Sequence, residues 1–318
     1  MLRYRVAAML SLFFLLALGF HQNITKLNWD YAWAILALCS SFVAATTIND
    51  INDKDIDTIN HPKNQGRPLV TGAANIRDLY QLHFLAMILS LGFAFLISWE
   101  AVGIIAVSLL INYLYSAKPF RLSYQTYLAP ILLTMAYVGI PYWLGLLISN
   151  AWFTDQDYFF LGALMTMFLG RIILKDFRDR KGDALYGKQT FLLRHGKTAT
   201  CAVSVISILA GNLLLLATFA REAIWLMLLM QFYFLAIFFI LWKLFKTADL
   251  GREQIAIAIG AKMGNGLLLT ILGVLILMEY SAPAVTQILY VTALIFLFLV
   301  NLILLLRSPE YALTEYRG

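Results

Sequence analysis

Carboxylates are concentrated in one short stretch at the end of a long apolar segment. Residues 49–57 read Asn-Asp-Ile-Asn-Asp-Lys-Asp-Ile-Asp. Carboxylates this close repel one another, which indicates that cations sit among them. If the preceding helix continues, Asp50, Asp53 and Asp57 lie within about 60° of one another at about 100° per residue, while Asp55 points away. Three carboxylates then share one face of a helix.

The same spacing recurs far downstream. Asp176, Asp179 and Asp183 again form Asp-x2-Asp-x3-Asp at the end of an apolar segment. A single run of this kind is typical of a solvated helix end. Two copies, each ending an apolar segment, indicate a shared chemical role.

The ligand types in the two runs indicate the kind of cation. His61 and His195 lie in nearby loops, but neither has a second metal ligand at a sensible spacing. Carboxylate oxygens alone suit hard cations, and Mg²⁺ is the usual choice when a phosphate-bearing substrate shares the ion. The sequence therefore predicts Mg²⁺ between the two Asp motifs, with a diphosphate filling the remaining ligand positions.

Basic residues near the Asp motifs supply the positive charge that a diphosphate requires. Arg binds phosphate oxygens in a bidentate way, whereas Lys supplies a point charge. Arg171 lies five residues inside an apolar segment, where an uncompensated charge is expensive, so the Asp cluster is its predicted partner. Lys262 raises the same question more weakly, because a Lys side chain can snorkel to the interface. The candidate diphosphate ligands are Arg67, Lys118, Arg121, Arg171 and Lys175.

The composition is that of a membrane protein. Of 318 residues, 61% are hydrophobic and 13% are charged, and the mean hydropathy is +0.76. A soluble domain of this size cannot bury so much apolar surface. The net charge of +6 therefore indicates orientation and anionic headgroups, and we predict no nucleic-acid partner. Cys39 and Cys201 lie in apolar segments, which favours packing roles over a disulfide.

Apolar segments long enough to cross a bilayer fill most of the chain, at about 20 residues per crossing. Arg3 and Arg5 precede the first of them, which we interpret as a retained helix and not a cleaved signal peptide. The predicted fold is an all-α polytopic membrane bundle of nine or ten transmembrane helices, with two Asp-rich loops on the cytoplasmic side, forming a single domain over residues 1–318. The candidate spans are 5–20, 31–50, 78–98, 101–116, 127–149, 158–175, 198–219, 222–246, 256–279 and 285–306.

The number of crossings predicts sidedness. Four crossings separate the two Asp motifs, so both emerge on one side together with the loop 117–126 and both termini. Of the 24 Lys and Arg residues, all but Lys26 and Arg221 lie on or near that side, and the positive-inside rule makes it cytoplasmic. We expect an integral protein of the plasma (inner) membrane. Basic residues interpreted as surface anchors are Arg178, Arg180, Lys181, Lys188, Arg194 and Lys197.

With these motifs the sequence resembles the UbiA family of intramembrane prenyltransferases. That family carries Asn-Asp-x2-Asp-x3-Asp and Asp-x2-Asp-x3-Asp motifs, here 49–57 and 176–183. The stretches 67–72, 115–119 and 171–176 resemble the family as well. The resemblance implies a bundle of about nine membrane helices that holds Mg²⁺ and a prenyl diphosphate between two Asp-rich loops. It also implies prenyl transfer to an acceptor, commonly an aromatic quinone precursor.

The resemblance implies an electrophilic mechanism. Mg²⁺ and basic side chains neutralise the departing diphosphate, the allylic C–O bond breaks, and an electron-rich acceptor captures the carbocation. The apolar bundle keeps water away from that cation. Asn49 would orient the first motif or a ligand, and Tyr115 would face the cation or the acceptor, or serve in packing. The implied metal ligands are Asp50, Asp53, Asp57, Asp176, Asp179 and Asp183.

Two other functions and several acceptors stay open from the sequence. A transporter would place its carboxylates near the bilayer midplane, whereas both clusters end spans. A metal-dependent terpene cyclase shares the ionisation chemistry but is typically soluble. We favour an aromatic acceptor on the family's base rate, and the alternatives are a glycerol-phosphate lipid, a tetrapyrrole or a phosphorylated sugar. The expected partners are a prenyl diphosphate, a small acceptor and the bilayer, with the oligomeric state open.

Overall fold

The structure is a computed structural model that describes residues 4–26, 28–62, 66–221 and 223–308. The ends of the predicted domain, 1–3 and 309–318, lie outside these ranges. Throughout the described ranges the regular structure is helical. The first half of the chain forms α1 (Tyr4–Phe20), α2 (Trp29–Asn52), α3 (Lys54–Asn60), α4 (Pro68–Thr71), α5 (Ile76–Phe95), α6 (Trp99–Ser116), α7 (Leu128–Thr134) and α8 (Ile140–Ile148).

The second half of the chain continues the bundle without a change of architecture. A π-helical turn, Met135–Gly139, joins α7 to α8, and a 3₁₀ turn, Ile173–Lys175, joins α9 to α10. The remaining helices are α9 (Asp155–Ile172), α10 (Asp176–Leu185), α11 (Phe191–Thr218), α12 (Ile224–Leu229), α13 (Gln231–Lys246), α14 (Leu250–Glu279) and α15 (Ala284–Arg307).

Within the described part of the chain, nine helical segments are long and apolar enough to cross a membrane, and α1 is a shorter apolar helix. Three of the nine are composite: α7 with α8, α9 with α10, and α12 with α13. Each predicted span coincides with one of these segments or with α1, so the predicted multi-pass membrane bundle is confirmed. Four helical stretches lie between the end of α2 and the start of α10, as the sequence predicted: α5, α6, α7 with α8, and α9.

Capping residues fix where individual spans begin. At the start of α5, Asn75 and Asp78 form a reciprocal capping box, and Thr154 and Asp157 form another at the start of α9. Each pair satisfies backbone N–H groups that have no partner inside the helix. The start of α9 is therefore fixed at one surface of the bundle, and its other end leads into the second Asp motif.

Helix α1 lies between two apolar cores. Phe13 and Leu16 pack with side chains of α9, α11, α13 and α14, whereas Phe14 packs with those of α2, α6 and α8. Gly145 of α8 permits close contact with α1, because a Cβ atom there would lie 2.7 Å from the Cβ of Ala17 and 2.8 Å from the carbonyl oxygen of Phe14. The two halves of the bundle thus share α1 as a common wall.

Buried polar contacts tie the helices together at the end opposite the Asp motifs. Asp157 is fully buried, and its Oδ1 atom lies 2.8 Å from His21 Nε2 and accepts a hydrogen bond from the Tyr142 hydroxyl at 2.6 Å. Thr154 Oγ1 donates to Asp157 Oδ2 at 2.6 Å. The carboxylate of Glu279 accepts hydrogen bonds from the loop that follows α1. These contacts join α8, α9 and α14 to the end of α1 and its loop.

Candidate active site

The first Asp motif spans a break between two helices. Helix α2 ends at Asn52, Asp53 has the non-helical angles φ −104° and ψ 13°, and α3 begins one residue later. Asp50, Asp53 and Asp57 are 3%, 6% and 6% exposed, whereas Asp55 is exposed. The structure therefore separates three buried carboxylates from the exposed Asp55, as the sequence predicts. Asn49 Nδ2 donates to Asp53 Oδ2 at 3.1 Å and so holds the central carboxylate.

The second Asp motif is also helical. Asp176, Asp179 and Asp183 lie on α10, which follows the 3₁₀ turn at the end of α9. The aspartates of the predicted Asp-rich loops therefore lie on helices, except for Asp53 at the break between α2 and α3. The physical reason is that Asp-x2-Asp-x3-Asp places its carboxylates on one helical face, so the helix itself presents them together.

The two motifs come together through close contact between α3 and α10. A Cβ atom on Gly182 would lie 2.7 Å from the Ile56 carbonyl oxygen and 2.7 Å from Asn60 Nδ2. The backbone N–H of Gly182 donates to Asn60 Oδ1 at 2.7 Å. Glycine is needed here because any side chain would push the two Asp helices apart.

Lys188 and His61 link the motifs electrostatically. Lys188 Nζ lies 3.0 Å from Asp53 Oδ2 and 3.3 Å from Asp183 Oδ1, so one ammonium bridges both motifs. His61 Nε2 lies 2.9 Å from Asp179 Oδ1. The sequence analysis missed both residues: it interpreted Lys188 as a surface anchor, and it considered His61 only as a metal ligand, for which no second ligand was found. The available signal was their proximity in sequence to the ends of the two motifs.

The position of Lys188 depends on contact between two loops. Gln189 N donates to the Tyr124 carbonyl at 3.2 Å, and Thr126 Oγ1 donates to the Gln189 carbonyl at 2.6 Å. Gly187, with φ of 71°, turns the chain before Lys188. The loop before α7 therefore directs the Lys188 ammonium into the site. The spacing of residues near Lys188 in the sequence does not reveal this contact.

Two of the predicted basic residues pair with the first motif. Arg67 Nη1 contacts the carboxylates of Asp50 and Asp57, at 2.7 Å from Asp57 Oδ2. Arg121 Nη2 donates to Asp53 Oδ1 at 3.1 Å and to the Asn52 carbonyl at 2.7 Å. These guanidinium groups satisfy all three carboxylates of the first motif.

Of the other three predicted basic residues, Lys175 and Arg171 line the same cavity as the Asp motifs, whereas Lys118 does not. Lys175 Nζ donates to the Tyr115 hydroxyl at 2.9 Å. Lys118 is exposed and is absent from the cavity lining, because the turn after α6 directs it outwards. Arg171 Nη1 donates to Asn265 Oδ1 at 2.9 Å. The amide of α14 thus accepts one hydrogen bond from Arg171, and the pairing of Arg171 with the Asp cluster stays a prediction.

The carboxylates open onto a cavity of about 390 Å³ inside the bundle. Five of the six motif aspartates line its mouth, and its walls include apolar residues of several helices. Tyr137 lies on the π-helical turn, and its ring packs edge-on against Phe168 at 5.9 Å. Since π-helical turns often occur at functional sites, this turn marks the wall of the cavity.

The electrostatics of the mouth reflect crowded carboxylates. Burial raises the pKa of the Asp57 carboxyl to about 7, against the opposing effect of Arg67. Burial acts to lower the pKa of the Lys188 ammonium, but Asp53 and Asp183 outweigh it and hold that pKa above its ordinary value. The carboxylates at the mouth of the cavity therefore stabilise positive charge, as the raised pKa of Lys188 shows.

The donor set fits a hard divalent cation. The motif side chains offer carboxylate oxygens, and Asp183 Oδ1 is buried and accepts no hydrogen bond, although Lys188 is near. Within the described residues, no three acidic, His or Cys side chains already converge in metal-binding geometry. The carboxylates point instead at the chain's own cations, so metal binding requires Arg67 and Lys188 to give up these contacts.

The sequence profile of the UbiA prenyltransferase family matches residues 7–265. The chain belongs to this family. The match includes both Asp motifs and reaches into α14, so the resemblance carried by the motifs is confirmed over most of the chain.

Named relatives differ from one another in their products. A chloroplast chlorophyll synthase of Oryza sativa is 30% identical over 190 residues, covering 56% of this chain and 48% of the relative. The digeranylgeranylglyceryl phosphate synthase of Methanospirillum hungatei is 26% identical over 196 residues, covering 60% and 66%. The UbiA-family protein thus spans about half the length of the chlorophyll synthase that it matches.

A solved structure shares the fold. The UbiA homologue from Archaeoglobus fulgidus bound to DMAPP and Mg²⁺ superimposes with a TM-score of 0.63 at 20% identity, over 82% of this chain and 96% of that one. At 20% identity, this similarity shows a shared fold, the helix bundle.

Proposed function

We propose that this UbiA-family protein transfers a prenyl group from an isoprenoid diphosphate to an acceptor inside the membrane. The observation that carries the proposal is that two Asp triads meet at the mouth of one cavity with apolar walls. A charged head group binds at the carboxylate end through a divalent cation, while its hydrocarbon tail lies among apolar side chains. The ligands of the Archaeoglobus fulgidus homologue, DMAPP and Mg²⁺, support this pairing.

Mg²⁺ is the proposed cofactor. When bound, it neutralises charge on the diphosphate and so assists its departure. Arg67, Arg121 and Lys188 already lie against the carboxylates, and they turn to the phosphate oxygens once those carboxylates bind cations. Lys175 supplies further positive charge next to Tyr115. The proposed metal ligands are Asp50, Asp53, Asp57, Asp176, Asp179 and Asp183.

The reaction uses the contrast between the polar mouth and the apolar walls. The allylic C–O bond breaks, and its electron pair leaves with the diphosphate. The nucleophilic atom of the acceptor then bonds to the allylic carbon and loses its proton. Phe168, Tyr137 and their neighbours line the cavity and exclude water, which would otherwise capture the carbocation. The faces of aromatic rings, including that of Tyr115, stabilise positive charge.

The proposed acceptor is an aromatic compound or quinone precursor. Non-aromatic acceptors are the alternative, which the names of the relatives support: chlorophyll is a tetrapyrrole, and the archaeal relative makes a glyceryl phosphate lipid. A single UbiA-type fold therefore accommodates acceptors of very different shape, and the choice depends on the side chains that line the deeper cavity.

Radiolabelled geranyl diphosphate tests the proposed function. The purified chain in detergent is incubated with Mg²⁺, with and without a lipid extract or an aromatic acceptor. We expect label in a new lipid only when an acceptor is present, and none in excess EDTA. A cyclised hydrocarbon formed without acceptor would indicate a cyclase, and unchanged geranyl diphosphate in every sample would refute the proposal.

We also propose that the Asp motifs face the cytoplasm across the plasma (inner) membrane. The asymmetry of Lys and Arg supports this orientation. A cysteine in place of exposed Lys181 should react with an impermeant maleimide only after the inner face is opened, whereas one in place of Lys26 should react in intact cells. Both native cysteines lie inside spans. The reverse labelling pattern would refute the orientation.

A further inference from the structure

One buried carboxylate outside the Asp motifs contacts the helix that carries the second motif. Glu253 lies in the first turn of α14 and is 3% exposed. Its Oε2 atom accepts a hydrogen bond from Arg180 Nη2 of α10 at 3.2 Å, and its Oε1 atom accepts one from Lys197 Nζ of α11 at 2.7 Å. The sequence favours surface roles for Arg180 and Lys197, but both side chains contact this one carboxylate.

Contacts with other helices fix the position of Glu253. Lys197 Nζ also donates to the carbonyl oxygen of Thr247, directly after α13, and so joins Glu253 to the end of that helix. Asp249 caps the start of α14, because its Oδ1 atom accepts a backbone hydrogen bond at 2.8 Å, which stabilises the first turn of a helix. Arg180 therefore meets a carboxylate that is held in place by other helices.

Arg180 lies beside the face of α10 that carries the aspartates. At about 100° per residue, Asp176, Asp179 and Asp183 fall within about 60° of one another. Gly182, which contacts α3, falls on one side of this face, and Arg180 falls on the other. Helix α10 is therefore held between α3 and α14, and its three carboxylates lie between the two contacts.

Rotation of α10 about its axis would displace the second motif. Side-chain ends lie about 5–6 Å from a helix axis, so a rotation of about 20° displaces a carboxylate by about 2 Å. Mg²⁺ requires nearly ideal octahedral geometry, with ligand oxygens at about 2.0–2.1 Å. A displacement of that size would therefore remove a ligand. The ion pair between Arg180 and Glu253 opposes this rotation on the side of α10 that faces away from α3.

We infer that Glu253 is a positioning residue, which anchors Arg180 and so keeps the carboxylates of the second Asp motif facing those of the first. The inference rests on the proposed function, because it assigns Mg²⁺ and the diphosphate to the two motifs. Glu253 and Arg180 are both absent from the cavity lining. They therefore act through the position of α10 and not by contact with a substrate.

Mg²⁺ titrations of geranyl diphosphate binding to the full chain in detergent test this inference. The measured quantity is the Mg²⁺ concentration at half-maximal binding, and the Tm of each variant is recorded in parallel. Glu253→Gln removes the charge of the carboxylate, and Arg180→Met removes its contact with α10. Lys197→Met is the matched control, because each Met variant leaves Glu253 with one cationic partner.

We expect Glu253→Gln and Arg180→Met to raise this Mg²⁺ concentration by about 10- to 100-fold, as loss of one charged hydrogen bond predicts. Lys197→Met should stay within about twofold of the wild type, although its Tm also falls. The double variant Glu253→Gln with Arg180→Met should match the stronger single variant, since both changes act on one contact. The Arg180 side chain is 34% exposed, so Arg180→Met is expected to fold even if Glu253→Gln does not.

An unchanged Mg²⁺ requirement in Arg180→Met and in folded Glu253→Gln overturns the inference. An equal rise in Lys197→Met also overturns it, since the effect would then follow from a general loss of stability. Additive losses in the double variant would show that the two residues act separately, which is equally contrary to the inference. Wild-type protein that binds no geranyl diphosphate at any Mg²⁺ concentration refutes the proposed function itself, and the inference with it.

Discussion

Replacing Gly182 by alanine is expected to separate the two Asp helices. The new Cβ atom would lie 2.7 Å from the carbonyl oxygen of Ile56 and from Asn60 Nδ2, well inside van der Waals contact. The amide can rotate away, but the backbone oxygen moves only if α3 shifts. Overpacking of this kind costs about 1–3 kcal/mol, which is roughly a 5- to 150-fold change in the docking equilibrium of α3 on α10.

The assay compares Mg²⁺-dependent prenyl transfer and geranyl diphosphate affinity in Gly182→Ala and Gly103→Ala. Gly103 is the matched control, because a Cβ atom there would meet nothing within 4 Å. We expect a loss of about 10- to 100-fold in transfer for Gly182→Ala alone. Adding Asn60→Ala should not restore it, since the clash with the Ile56 carbonyl persists. Equal activity of the two glycine variants would refute the role of this contact.

Three further predictions follow from the contacts described. Asp53→Ala and Asp179→Ala should each lower transfer by about 10²–10³, whereas exposed Asp55→Ala should be mild; equal losses at equal expression would show that the helical face does not select the ligands. Because burial raises the pKa of Asp57 to about 7, its carboxylate is protonated at lower pH, so Mg²⁺ titrations of the ligand-free protein should give weaker binding at pH 6 than at pH 8; pH-independent affinity would contradict this. Asp157→Ala should destabilise the bundle by about 3 kcal/mol, measured as a lower Tm in detergent. Affinity for geranyl diphosphate at the active site should not change. An unchanged Tm would show that the buried polar contacts of Asp157 do not stabilise the bundle.

The sequence could predict features that depend on local geometry. The exposure of Asp55 and the burial of Asp50, Asp53 and Asp57 follow from the helical repeat, and they survive the break at Asp53 because α3 resumes within one residue. The spans follow from apolar length alone. Both inferences depend only on residues that are close together in the sequence.

The remaining features depend on packing between distant segments. Lys188 enters the site because its loop bonds to the backbone at Tyr124, and no local pattern specifies that pairing. Arg171 finds Asn265, which lies on a helix far along the chain. Lys118 was predicted from a motif that it shares with Arg121, yet only Arg121 turns towards the aspartates.

The ion pairs at the mouth of the cavity have a consequence for the protein without ligands. Arg67, Arg121 and Lys188 act as built-in counter-ions, so the buried carboxylates are compensated before any metal arrives. If the carboxylates bound Mg²⁺, these basic side chains would leave them and would be available to bind phosphate oxygens. Proteins whose fold is assembled around a metal unfold in chelator. This bundle should instead remain folded in chelator and recover when Mg²⁺ is returned.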